Sequence, residues 1–387
     1  LVILLIIILI FAPQFMRAVT PGFYGEQMEL AVLLTRIMLL SPLFFAISSV
    51  IGGVLNSFGK FFAYSIAPIL YNIGIIIGAL YLVPIMGPAG LAWGVVLGAC
   101  AHMLVQIPTF FRVGFRFKPL FHFRDPDFVR VVKLMIPVTV SLALVQINLI
   151  VGSAIGSTLA EGSISIINFA NNLISLPVGL IGLSFAVSVF PLLSYTYSEG
   201  KEKQFVDSFV DTFKLIMYLI VPAMVFALIL RAHIVRLVLG AGLFDVVDTV
   251  WTSRTFGYLA FGLVGQALIP LLVRAYYAAN NTKMPLVVAL IAVLVNLVGD
   301  IVLTKIFDFR VAGLALASTI AVFVNLLLLL GLLRGQFPKV PFTKMFISSG
   351  TYFILSVFAG LTSYRVLYLV EPHINTLSTI GLLYQTS

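Results

Sequence analysis

The landmarks Thr35-Arg36, Asn72 and Ala89-Gly90-Leu91-Ala92 return further along the chain as Ser253-Arg254, Asn296 and Ala312-Gly313-Leu314-Ala315, in the same order. Corresponding positions lie 218 to 224 residues apart, and asparagine precedes its small-residue patch by 17 positions in one copy and 16 in the other. Both copies lie in sequence apolar enough to cross a bilayer. The repeat therefore reads as a duplicated helical membrane unit, an organisation typical of transporters that place a site between their halves.

Composition supports that reading. Hydrophobic residues make up 61% of the 387-residue chain and charged residues 10%, against about 25% charged in soluble domains. Mean hydropathy is +1.15. The apolar runs lack period-2 alternation, so helices rather than a barrel must satisfy the backbone in lipid. Full spans are expected near 29–57, 61–83, 88–111, 130–156, 163–193, 212–234, 254–278, 284–306, 311–333 and 345–368, with half-spans at 1–12 and 374–387. A start inside an apolar run and an incomplete last helix suggest a piece of a longer protein.

The fold class expected is an all-α polytopic membrane protein with two parallel six-helix lobes, the first incomplete, plus an appended C-terminal helix pair. The N-terminal lobe covers 1–114 and lacks about two leading helices. A cytoplasmic linker follows at 115–129, then a C-terminal lobe at 130–335 and the helix pair at 343–387. With loops alternating sides, fifteen of the 23 lysines and arginines fall on one side, which the positive-inside rule makes cytoplasmic. The net charge of +9 thus follows from topology and calls for no nucleic acid. The single cysteine, Cys100, permits no internal disulfide. Glycine at every fourth position, Gly90-Gly94-Gly98 and Gly152-Gly156, predicts faces where helices approach closely.

No catalytic constellation is present. The four histidines are scattered, and neither HExxH nor a GxxxxGK[ST] loop occurs, so a membrane transporter rather than an enzyme is expected. Energy must then come from an ion gradient, the membrane potential or a partner. Asp300 lies in an apolar run, where a carboxylate costs roughly 2.5–3.5 kcal/mol. Asn296, four residues earlier, shares its helix face. The pair suits Na⁺ or a proton, or an interhelical clamp. Gln146, Asn148, Asn168, Asn171 and Asn172 form a second polar band, either interhelical glue or the lining of a wet cavity. Arg36 and Arg254 occupy matching places in the two copies and either snorkel to an interface or hold an anion.

Several segments resemble the MurJ (MviN) lipid II flippases of bacteria. These are Leu34-Thr35-Arg36-Ile37-Met38 with Gly52-Gly53-Val54-Leu55-Asn56-Ser57-Phe58-Gly59-Lys60-Phe61, then Leu134-Met135-Ile136-Pro137 with Gln146-Ile147-Asn148. Leu176-Pro177-Val178-Gly179-Leu180-Ile181-Gly182 and Arg274-Ala275-Tyr276-Tyr277-Ala278, followed by Asn281-Thr282-Lys283-Met284-Pro285, continue the likeness in order over almost the whole chain. The resemblance implies the multidrug/oligosaccharidyl-lipid/polysaccharide exporter fold, with two lobes alternating access around a central cationic cavity and a last helix pair holding a polyprenyl tail. It implies a multi-pass protein of the bacterial cytoplasmic membrane in peptidoglycan biosynthesis, carrying lipid II, an undecaprenyl-pyrophosphate-linked disaccharide-pentapeptide. Membrane lipids and cell-wall synthesis proteins are the other partners implied.

The substrate-binding candidates are then Arg36, Arg254, Asn171, Asn172, Gln146 and Asn148. No cofactor is implied beyond Na⁺ or H⁺ as coupling ion, with Asn296, Asp300 and Thr319 (or the neighbouring Ser318) as the ion site. The chain departs from the family twice: Asn172 stands where the family has an essential arginine, and Gly152 where some members place a sodium-binding aspartate. The alternatives are an exporter of another lipid-linked oligosaccharide with the same fold, or an inactive membrane scaffold homologue.

Overall fold

The structure is a computed structural model that describes residues 2–114, 125–240 and 244–370. Every regular element among these residues is helical. Eight helical stretches are long and apolar enough to cross a membrane, and ten if each of two bent pairs counts as one span. The chain forms two compact units, Leu1–Pro137 and Val138–Ser387.

The first unit contains α1 (Val2–Ile10), α2 (Ala12–Val19), α3 (Gly25–Met38), α4 (Ser41–Ser57) and α5 (Phe61–Ile77). A π-helical turn at Gly78–Leu82 leads through α6 (Val83–Met86) to α7 (Pro88–Leu104) and α8 (Ile107–Arg112). Helix α7 packs against α3, α4 and α5. Its glycine stripe faces α5 and the π turn. A Cβ built at Gly74 would collide with the Gly98 backbone, and one at Gly94 with the Gly78 Cα, so the two backbones meet with no side chain between them. Gly87 turns the chain with φ +60°, and Pro88 then opens α7.

Helix α9 (Pro126–Ser157) crosses the boundary between the units, covers the span expected at 130–156 and begins four residues inside the expected linker, which ran to 129. Linker positions 115–124 and the half-span expected at 374–387 lie outside the described residues. The second unit continues with α10 (Ser163–Pro177), a π turn at Val178–Leu183, α11 (Ser184–Ser198), α12 (Glu202–Ile229), α13 (Arg231–Leu239), α14 (Val246–Phe261) and α15 (Leu263–Ala278). Then come α16 (Lys283–Ile301), a π turn at Val302–Ile306, α17 (Arg310–Gln336) and α18 (Phe342–Val370).

The core of this unit forms on α12. Phe205, Phe209, Ile216 and Ile220 are almost wholly buried, in contact with elements that include α11, α15 and α18. Tyr276 is fully buried and donates its hydroxyl hydrogen bond to the Leu329 carbonyl at 2.9 Å, joining α15 to α17. At the start of α12, Glu202 pairs with Lys339 and Phe205 stacks on Phe337, which fastens the connection between α17 and α18.

Two expected spans need correction. The run at 212–234 is not one helix: α12 starts at Glu202, ends at Ile229, and α13 begins after a break at Leu230. The run at 254–278 is a helix pair bent by 41° at Gly262. Breaks recur with the repeat. Phe11 and Leu230, Leu40 and Gly262, and the π turns beginning at Gly78 and Val302 are pairs 219 to 224 residues apart. Each copy's Ala-Gly-Leu-Ala patch lies in the first turns of the long helix beyond that π turn, α7 (after the short α6) in the first copy and α17 in the second. The glycine reading holds for Gly90, Gly94 and Gly98 but not for Gly152, whose added Cβ would meet nothing within 4 Å, nor for Gly156, which faces only side chains.

Candidate functional site: an amide-lined cavity beside a buried carboxylate

Within the second unit, α9, α10, α14, α15, α16 and α17 line an open cavity of about 350 Å³. Asn148, Asn171, Gln266, Asn296, Ser318 and Asn325 supply its polar lining, and Leu259, Ala289, Ala292, Val293, Ala321 and Val322 the rest. Small residues on α16 and α17 leave the space open, while the amides offer both donors and acceptors to whatever enters. The Asn148 Oδ1 is buried with no hydrogen-bond partner. An orphaned buried acceptor of this kind is costly unless an incoming donor or cation meets it.

Asp300 lies one helical turn beyond Asn296 and is only 2% exposed. Asn296 Nδ2 stands 3.4 Å from Asp300 Oδ1 and 3.4 Å from the Ser318 hydroxyl, tying α16 to α17. The Thr304 hydroxyl donates to the Asp300 carbonyl across the start of the π turn. No lysine, arginine or histidine among the described residues forms an ion pair with Asp300. No group of three His, Cys, Asp or Glu side chains among the described residues is placed to hold a metal ion either. The Asp300 carboxylate and the Ser318 hydroxyl, linked through the Asn296 Nδ2, offer oxygens that suit a hard monovalent cation or a proton rather than a transition metal.

The residues singled out from sequence separate on the structure. Asn148, Asn171 and Asn296 come together on the cavity wall. Gln146 and Asn172 are exposed and lie off that wall, as does Asn168. Thr319 is turned away from the ion-site cluster, donating at 2.7 Å to the Tyr258 carbonyl, and Ser318 takes the place expected of it. Arg36 is exposed in the last turn of α3, in the first unit. Arg254 lines a different cavity of the second unit. Asn72, the repeat counterpart of buried Asn296, is exposed and donates to its own helix at Pro68. The duplicated asparagine is thus buried beside a carboxylate in the second copy and exposed in the first. Gln266 and Asn325 were missed, although an amide within an apolar span is the same signal that marked Asn171.

The family model described as lipid II flippase MurJ matches residues 1–384. The chain belongs to the MurJ family. A probable lipid II flippase MurJ of Vibrio cholerae is 30% identical over 320 residues, covering 82% of this chain and 61% of the relative. A counterpart in Haemophilus influenzae is 30% identical over 359 residues, covering 91% of this chain and 69% of the relative. The chain thus spans about three-fifths of the length of the Vibrio protein. A solved lipid II flippase MurJ in an inward closed conformation superimposes with TM-score 0.80 at 26% identity, over 99% of this chain and 77% of that one. An inward-facing multidrug resistance MATE family transporter shares the fold, with TM-score 0.74 at 16% identity over 90% of this chain and 79% of that one. This MurJ-family chain is an all-α, multi-pass membrane protein.

Proposed function

We propose that the protein moves lipid II, the undecaprenyl-pyrophosphate-linked peptidoglycan precursor, across the bacterial cytoplasmic membrane by alternating access. The match of the lipid II flippase MurJ model to residues 1–384 is the observation that carries this reading. On it, the protein is a transporter and catalyses no covalent step. Polar groups along the path of the head group hydrogen-bond sugar and peptide, and the amides of Asn148 and Asn171 are the described candidates. Asn172, exposed on α10, has an amide where the family has a guanidinium, so its share of pyrophosphate binding falls to other cations such as Arg36 and Arg254.

Coupling is assigned to Asp300. A buried carboxylate without a cationic partner is costly to leave charged, and both Na⁺ and H⁺ relieve that cost. Ser318 contributes a neighbouring hydroxyl oxygen, Asn296 turns its Nδ2 donor toward both Asp300 and Ser318, and the hydroxyl of Thr319 is committed to the Tyr258 carbonyl. Occupation of the site would draw α16 and α17 together at the helix pair that carries the cavity. The test of the transport reading is rescue. Bacteria depleted of their own lipid II flippase should grow without lysis when this protein is expressed from its natural gene. Lysis despite normal amounts of protein in the membrane would count against the reading.

A further inference from the structure

A second cavity of the same unit, about 430 Å³, gathers two arginines that stand 23 positions apart in sequence, Arg231 and Arg254. The break at Leu230 places Arg231 at the start of α13, against the face of α14 that bears Arg254, Gly257 and Tyr258. Gly257 makes the approach possible: a Cβ there would stand 3.1 Å from the Arg231 Cδ. Each guanidinium offers five N–H donors. Arg231 gives one to the Leu228 carbonyl at 3.3 Å, and Arg254 lies over the Trp251 ring, 5.7 Å from its centroid. Arg310 approaches the same ring at 5.5 Å. Among the described residues neither Arg231 nor Arg254 forms an ion pair with a carboxylate.

Both side chains are exposed, and two like charges in one pocket with a single N–H given to a protein acceptor make an arrangement that favours an anion. The rest of the wall is apolar, with Leu228, Val250 and Phe261 beside the two cations. We propose that this pocket binds a phosphate-type oxyanion carried on a lipid, its charge held between Arg231 and Arg254 and its chain lying along the apolar wall. Tyr258 lines the same pocket. The oxyanion has two sources with the same chemistry, the headgroup of an anionic phospholipid and the pyrophosphate of a polyprenyl carrier. The inference goes beyond the transport reading and needs it only to make the second source relevant.

The test is native mass spectrometry of the full chain in detergent, titrated with dioleoyl phosphatidylglycerol, dioleoyl phosphatidylcholine and undecaprenyl pyrophosphate. At least one of the two anionic lipids should bind about tenfold more tightly than phosphatidylcholine, and Arg231→Gln or Arg254→Gln should each remove about that factor. Arg365→Gln on α18 loses the same charge away from the pocket and should bind as the parent does. Undecaprenyl pyrophosphate binding well above phosphatidylglycerol assigns the pocket to the carrier; equal binding assigns it to anionic phospholipid in general. Equal retention of phosphatidylcholine, or parent-like binding by both glutamine variants, overturns the proposal. Should a glutamine variant fail to fold, Arg231→Lys and Arg254→Lys keep the charge without the planar fork, so binding must fall, and unchanged binding overturns it. A protein that binds these lipids yet moves no lipid II fails the transport reading alone.

Discussion

Asp300 carries the most weight of any single residue. Its carboxylate is buried on α16, with an amide and a hydroxyl nearby and no cation paired to it. Asp300→Asn keeps the shape and removes the charge. Lipid II transport by this variant, followed in vesicles across a sodium and a pH series, should lose its dependence on both ions; a dependence equal to the parent's would remove Asp300 from the coupling site. Tyr276→Phe should act on stability instead. It deletes one buried hydrogen bond to Leu329 and should lower unfolding free energy by about 0.6–1 kcal/mol, read from thermal unfolding in detergent, with transport retained. At this scale sequence revealed what hydropathy makes conspicuous: a carboxylate and amides in apolar runs. It could not say whether Ser318 or Thr319 faces Asn296. Adjacent helix positions differ by about 100° in direction, and the rotation of α17 against α16 is set by packing. Nor could it pair Arg231 with Arg254, because the break at Leu230 that places Arg231 lies in sequence that reads as continuous span.

The elements show where glycine is structural and where it is not. Gly94 on α7 lies against Gly78, and Gly94→Ala should force the helices apart at a cost of about 1–3 kcal/mol. Gly152 on α9 has open space at its Cβ position, so Gly152→Ala should be neutral or stabilising by up to about 1 kcal/mol through helix propensity. Unfolding of the two variants side by side decides it: an equal loss in both would refute the close-packing account. The same sequence pattern, glycine at every fourth position, thus has two meanings that only the neighbouring helix distinguishes. The start of α12 was hidden for a different reason. Residues 202–214 are too charged for a hydropathy window, yet Phe205, Phe209 and Phe213 recur every four residues and face the core. Helical periodicity held that signal. The π turns left none that could be read in advance, although Pro177 immediately precedes one of them.

For the molecule as a whole, duplication was the legible feature, and it now extends from three landmarks to a run of helix breaks and π turns in matching order. The copies have diverged where chemistry is concerned: Asn296 is buried beside Asp300, while Asn72 is exposed with Ile76 four positions on. Coupling is therefore expected from the second unit alone, and Asn72→Ala should leave ion dependence unchanged in the vesicle measurement that tests Asp300→Asn. The central claim is that this membrane protein turns lipid II from one leaflet to the other. The direct measurement is the accessibility of newly made lipid II to a cleaving enzyme added outside the cytoplasmic membrane. It should be made in bacteria depleted of their own flippase and expressing this protein from its natural gene. Cleavage restored to the level of undepleted cells is the result predicted here. Lipid II that stays shielded while the protein is present in the membrane would contradict it.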